Sequence, residues 1–150
     1  MKAIILKSIL ATILLITSIT SCTDDDVPVP APIVEAASLT YAEGGASLAY
    51  VTNPYANAST KTIFGNNAST NIVEIKLSSL AVGTYTISTE NRFKYTRVGT
   101  TSPWNAVLGT ITINSNTDNK VSGYYDLTAG DSDLGINSVS GKFINVVINP

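Results

Sequence analysis

The chain reads as an all-β protein, a single antiparallel β-sandwich or barrel-like domain of about seven to nine short strands following a signal-peptide helix and an extended proline-rich tether. Three observations predict this. Apolar residues recur at every second position in short runs, as where Val73, Ile75 and Leu77 alternate with Glu74 and Lys76, which is the period of a half-buried strand and not of a helix. Clusters rich in Gly, Asn, Ser and Asp separate the runs at roughly ten-residue spacing. Charged residues make up only 13% of the chain, while Ser, Thr and Asn abound, so the outward faces are lined mainly by hydroxyls and amides.

Residues 1–21 have the pattern of a signal peptide. Lys2 and Lys7 supply a basic start, and Ser8 to Ile19 is an uncharged run rich in Ile and Leu. At about 1.5 Å per residue a helix of that length spans roughly 18 Å, short of the ~30 Å hydrocarbon core. A permanent membrane helix would have to absorb Lys7, so a cleaved leader is the expectation. Ile19-Thr20-Ser21-Cys22 resembles a bacterial lipobox, with Thr20 and Ser21 in place of the more usual Ala or Gly. Cys22 is the only cysteine, and its soft thiolate suits a thioether to a diacylglyceryl group. One acyl chain binds a membrane with only about 10⁴ M⁻¹, whereas two or three on one residue hold firmly. A buried, unmodified thiol is the alternative reading of Cys22.

Asp24, Asp25 and Asp26 follow Cys22 directly. They resemble the acidic signal that sends Bacteroidota lipoproteins to the outer face of the outer membrane, and they also make a self-repelling, solvated tether. Val27-Pro28-Val29-Pro30-Ala31-Pro32-Ile33 has proline at every second position, which favours extended polyproline II and disfavours helix or central strand. Residues 22–33 are therefore expected to be a lipidated stalk, and residues 34–150 one β-domain of ordinary size.

Within that domain a first strand is expected from Ala46 to Thr52, with Pro54 in a loop, and a short one from Lys61 to Phe64. Asn71 to Ser78, the run through Tyr85 and Ile87, and Arg92 to Val98 come next. A strand through Val107, Leu108, Ile111 and Ile113 is expected to be covered on both faces near its start, and Lys120 to Thr128 and Val139 to Ile148 complete the set. Glu43-Gly44-Gly45, Gly65-Asn66-Asn67, Asn114 to Asn119 and Gly130 to Gly135 supply turns.

Two internal echoes stand out. Asn57-Ala58-Ser59-Thr60 recurs as Asn67-Ala68-Ser69-Thr70, and Val121-Ser122-Gly123-Tyr124-Tyr125 as Val139-Ser140-Gly141-Lys142-Phe143. In the second pair a glycine precedes an aromatic by two positions on one face. A strand glycine leaves a gap that a neighbouring ring can cover, so these are expected to be strand-pairing devices.

The stretches Ile75-Lys76-Leu77 through Gly83-Thr84-Tyr85-Thr86, Gly109-Thr110-Ile111-Thr112-Ile113, Val121 to Tyr125 and Gly141-Lys142-Phe143 resemble a family of short, uncharacterised Bacteroidota lipoproteins, a domain of unknown function. The resemblance runs from Glu74 to Pro150. Similar chains often read Gly-Thr-Phe where this one has Gly123-Tyr124-Tyr125. It implies a surface lipoprotein and carries no activity.

Chemistry is narrowed by elimination. The chain has no histidine, hence no imidazole base, no imidazole metal ligand and no Ser-His-Asp or Cys-His arrangement. With Cys22 committed to lipid, thiolate catalysis and thiolate metal sites go too, and no glycine-rich phosphate loop occurs. Beyond the leader, the folded part carries eight acidic and seven basic side chains, without the basic footprint of a nucleic-acid binder. Carboxylate-pair hydrolysis stays formally open through Glu35, Glu43, Glu74, Glu90, Asp118, Asp126, Asp131 and Asp133. Glu74, outward beside Lys76, reads as surface solvation. Asp131 and Asp133, two apart in a Gly-rich loop, are a weak calcium candidate that fails the EF-hand pattern, because position five from Asp131 is Gly135 and position twelve is Lys142.

The remaining candidate is an aromatic ligand platform. Trp104, the only tryptophan, precedes a strand and lies near Tyr95 in a hairpin, while Tyr124 is expected to face away from Tyr125. An exposed ring stacks on sugars or anchors a partner protein, and the competing reading has Trp104 plugging one end of the core. The expectation is a lipid-anchored outer-membrane protein facing the cell exterior, a non-enzymatic module for a glycan or protein ligand. It has no cofactor and no nucleic-acid partner, and it meets the membrane through Cys22. The alternatives are a structural surface component without small ligand, or an accessory or weak carboxylate-dependent hydrolase.

Overall fold

The computed structural model describes residues 35–66, 72–97, 100, 102–131 and 134–150, with Asp131 described in its backbone alone. The expected signal peptide, Cys22, Asp24, Asp25, Asp26, the tether and Asp133 lie outside the described residues.

Nine strands and no helix are found among the described residues: β1 (Ser38–Glu43), β2 (Ala49–Asn57), β3 (Thr62–Asn66), β4 (Ile72–Lys76), β5 (Gly83–Thr86), β6 (Arg92–Thr96), β7 (Trp104–Thr117), β8 (Lys120–Asp131) and β9 (Ser138–Asn149). Pairing runs β7-β6-β4-β3-β2-β1-β9-β8 and returns from β8 to β7, closing an eight-stranded barrel. The ninth strand, β5, lies beside β7 further along: β6 pairs with β7 at Asn105 and Trp104, β5 at Ile113 to Thr110. β5 and β6 thus act as two halves of one interrupted strand. Asn91 clamps the interruption, its side-chain N–H donating to the Thr86 carbonyl at 3.1 Å and its side-chain oxygen accepting from the Ser78 N–H at 2.8 Å. All pairings are antiparallel except a three-residue parallel contact of β2 with β9, between Tyr55–Asn57 and Val147–Asn149. It arises because β1, which runs antiparallel to both, begins only at Ser38.

Apolar alternation sends Leu39, Val73, Ile75, Phe93, Ile111, Tyr125, Leu127 and Phe143 inward, all essentially without solvent exposure. An eight-stranded barrel is just wide enough for side chains to fill it, and here they do.

The echo of Gly123-Tyr124-Tyr125 and Gly141-Lys142-Phe143 is resolved by the register. Gly123 pairs with Phe143 and Tyr125 with Gly141 across β8 and β9, so each ring covers the other strand's glycine. Asp118 and Asn119, at φ 53° and 55°, turn β7 into β8. Positive φ at both central residues is the geometry of a two-residue type I′ hairpin, for which Asp and Asn are suited.

Three expectations are corrected. β1 is not among the expected strands; Leu39, Thr40, Tyr41 and Ala42 are all buried, so no alternation of buried and exposed residues marks it. The first expected strand continues through Pro54, because a bulge between Thr52 and Tyr55, with Asn53 at φ 48°, accommodates the proline and reverses the facing of the residues beyond it. Val107 and Leu108 are both exposed, not covered. The Val107 rung is missing from the β7–β8 ladder, and Ala129 opposite it has φ 53°.

Candidate functional site

Trp104 and Tyr95 are directly opposed across β6 and β7, as the hairpin reading expected, but both point into the barrel. Trp104 has no exposed surface, and its indole N–H donates to the Ile136 carbonyl at 2.9 Å. The ring edge occupies the space a side chain at Gly130 would need. Phe93 stands edge-on to it with centroids 6.1 Å apart. Tyr95 is equally buried, donating from its hydroxyl to Glu43 Oε1 at 2.5 Å, and Glu43 also pairs with Arg97. Burial, with the hydrogen bond to Tyr41 next, holds the Tyr95 hydroxyl well above its ordinary pKa. Neither residue can offer a face to a ligand, so packing rules out the platform of Trp104 with Tyr95 and bears out the reading of Trp104 as a plug of the core.

Tyr124 is 52% exposed and opposite in facing to the buried Tyr125, as expected. Its neighbours in register are Thr112 on β7 and Lys142 on β9. No second exposed ring adjoins it in that row: Tyr50 on β2 lies three strands away, or about 14 Å at ~4.8 Å per strand. For Asp131 the structure describes the backbone, paired with Asn105 at the end of β8. Among the described residues no three His, Cys, Asp or Glu side chains group as a metal site.

The organised surface is elsewhere, on the outside of β2, β3, β4 and β6. The ladder registers lay out two rows there. One runs Tyr55, Phe64, Glu74, Lys94 and Asn105 from β2 to β7. The next runs Asn57, Thr62, Lys76 and Arg92. The β2 bulge creates this face, because it is the one-residue shift that turns Tyr55 outward and Ala56 inward. Tyr55 then meets Phe64 edge-to-face, with centroids 4.7 Å apart.

The β2–β3 turn brings more groups to the same place. The Asn57 side-chain oxygen accepts from the Thr60 N–H at 2.8 Å and from the Thr60 hydroxyl at 3.0 Å, and its N–H donates to the Pro150 carbonyl at 3.0 Å. This first copy of the Asn-Ala-Ser-Thr echo is a turn-forming device, whereas the second, 67–70, lies outside the described residues. Lys61 closes the turn at φ 54°, its carbonyl accepting from the Leu77 N–H at 3.0 Å.

Two shallow depressions adjoin on this face. One, of about 540 Å³, is lined by residues that include Thr60, Lys61, Lys76, Ser78, Glu90 and Arg92. Its neighbour, of about 460 Å³, is lined by Tyr55, Asn57, Thr60, Thr62, Phe64, Glu74 and Lys76. Both volumes are in the range of small-ligand sites, about 300–1,000 Å³. Glu74 is matched to Lys94 in register and at 3.6 Å. Glu74 and Lys76, which read in sequence as solvation, line these depressions with Tyr55, Phe64 and Arg92, which no sequence motif marks. The signal was the Lys/Glu/Arg content of β4 and β6, but their adjacency depends on the β4–β6 pairing that skips β5.

Compared with known proteins, the chain matches a family described as a domain of unknown function, DUF6252, over residues 49–147. The match runs from the first residue of β2 into β9 and reaches further toward the N-terminus than the resemblance over Glu74–Pro150. No curated protein and no solved structure matches it. A closed barrel with a filled interior, its polar relief confined to the exterior, is thus the form taken here by a chain that belongs to the DUF6252 family.

Proposed function

We propose that this protein is a lipid-anchored binding module on the outer face of the outer membrane, held through Cys22 and exported by Asp24, Asp25 and Asp26. It engages a glycan or protein ligand with the exterior of β2, β3, β4 and β6 and does no chemistry on it. The carrying observation is the pair of ordered rows on that face, where an aromatic pair, amides, hydroxyls and ions adjoin ligand-sized relief. The interior offers no competing site: it is filled by apolar side chains, and among the described residues no buried side-chain nitrogen or oxygen lacks a hydrogen-bond partner. A ligand must therefore meet the outside.

The test has two parts. Labelled fatty acid should enter the full chain in cells and be lost in Cys22→Ser, and protease added to intact cells should degrade the wild type. A glycan array and a cell-surface pull-down with the full chain should then yield a ligand whose binding falls in Tyr55→Ala. A chain that carries no lipid and resists external protease, or one whose ligand is indifferent to Tyr55, would refute the reading.

A further inference from the structure

We infer that the ligand of this face is an acidic saccharide, its carboxylate, sulfate or phosphate group held by Lys61, Lys76 and Arg92. The inference rests on the proposed binding role and gives it a ligand class.

Lys76 and Arg92 are directly opposite each other across β4 and β6. Cβ atoms in such positions lie about 4.5–5.5 Å apart, and like charges there are destabilising. A folding requirement alone would not place two cations so; the next outward-facing rung has the favourable pair Glu74 and Lys94. Lys61, from the turn, lines the same depression. Among the described residues the ion pairs are Lys94 with Glu74 and Arg97 with Glu43, leaving Lys61, Lys76 and Arg92 unneutralised. Among the described residues, Glu90 is the one carboxylate lining that depression. In a chain of formal charge −2, four of the seven cations beyond the leader, Lys61, Lys76, Arg92 and Lys94, lie on this face. An anion between Lys76 and Arg92 converts their repulsion into two attractions, and the planar guanidinium suits a two-oxygen group.

The surroundings of the cations favour a sugar as the anion's carrier. Thr60 and Lys76 line both depressions, so the basic site continues into the one holding Tyr55 and Phe64. An aromatic face beside Asn57, Thr60 and Thr62 offers stacking to a pyranose ring and both donors and acceptors to its hydroxyls. A lipid surface is flat and is met by protruding cations; Lys61 and Arg92 are exposed, but Lys76 is half-buried, with Glu74 two residues before it on the same face.

The experiment uses the detergent-solubilised full chain with four probes: a polyuronate, a sulfated dextran, neutral dextran and inorganic phosphate, with anionic lipid vesicles as a fifth arm. At least one acidic polysaccharide should bind about tenfold or more tighter than neutral dextran. That binding should weaken as salt rises from about 50 to about 500 mM. The double variant Lys76→Gln/Arg92→Gln should lose about tenfold in affinity, while Lys120→Gln/Lys142→Gln, with both cations elsewhere on the barrel, stays within about twofold. Neutral dextran binding as well, with dependence on Tyr55, would overturn the acidic class and leave the binding face intact. Equal losses in both double variants would overturn the site. Capture by the vesicles alone, or competition by phosphate as strong as by the acidic polymer, would overturn the saccharide. No binding of any probe, while the array and pull-down give a protein ligand at Tyr55, would also overturn it.

Discussion

The ring of Tyr125 occupies the place of a side chain at Gly141: a Cβ added there would come within 2.6 Å of the Tyr125 hydroxyl and press on the Thr40 carbonyl. The hydroxyl passes over β9 to donate to that carbonyl at 2.7 Å, so one residue of β8 is hydrogen-bonded to β1, two strands away. Gly141→Ala should therefore destabilise by about 1–3 kcal/mol, as overpacking does. Tyr125→Phe should cost about 1–2 kcal/mol through loss of the buried hydrogen bond. Denaturant melts of both variants check this, and a neutral Gly141→Ala would contradict the packing described.

Trp104 makes the second prediction. Trp104→Ala removes a fully buried ring and leaves the Ile136 carbonyl without its donor, for a loss of about 3–5 kcal/mol. Because it is the only tryptophan, its fluorescence should be blue-shifted in the folded protein and shift red in one step on unfolding. Collisional quenchers should not reach it in the native state; efficient quenching would place it outside.

Stability should fall at high pH, and the sign comes from the tyrosines. Burial, followed by the influence of Tyr41, raises Tyr125 above its ordinary 10.0, and Tyr95 is raised for the same leading reason. Below about pH 10 both are protonated in the folded and unfolded states and contribute no pH dependence. Above it the unfolded chain ionises first, binding fewer protons than the folded one, so stability declines by up to about 1.4 kcal/mol per pH unit for each group. Melts from pH 8 to pH 12, roughly the range that brackets the ordinary tyrosine value, should show a smaller decline in Tyr125→Phe than in the wild type.

At the β7–β8 turn, Asn119 holds φ 55°. Asn119→Gly should stabilise or leave stability unchanged, while Asn119→Val should cost about 1–2 kcal/mol, since a β-branched residue resists the left-handed region. Equal stability of all three would mean that the turn relaxes to another type.

Across β4 and β6, Arg92→Glu replaces a like-charge pair with an opposite one. Thermal stability should rise by about 0.2–1 kcal/mol at low salt and the gain should shrink at high salt. A loss instead would show that Arg92 is held by contacts that outweigh its repulsion from Lys76.

The strands themselves were legible because alternation is local. Ile111 and Ile113, or Phe93 and Tyr95, declare an inward face within five residues. The glycine–aromatic echo marks strand glycines that a neighbouring ring can cover, and the register shows that the ring comes from the other copy, across β8 and β9. For Trp104 the sequence offers two readings, an exposed platform and a plug of the core, and its burial decides for the plug. Counting back in twos from Ile111 turns it outward, and only the missing Val107 rung, opposite Ala129, reverses the alternation and puts it beside Gly130.

By itself, then, the chain determined its class and most of its strands, because side-chain period and turn residues act over a few positions. Closure into a barrel and the assembly of Tyr55, Phe64, Lys61, Lys76 and Arg92 on one face were decided only in three dimensions. They depend on pairings distant in sequence, such as β1 with β9 and β4 with β6, and on a single extra residue at Asn53–Pro54. Alternation says which side of its own strand a residue takes, and a period of two carries no record of which strand lies beside it.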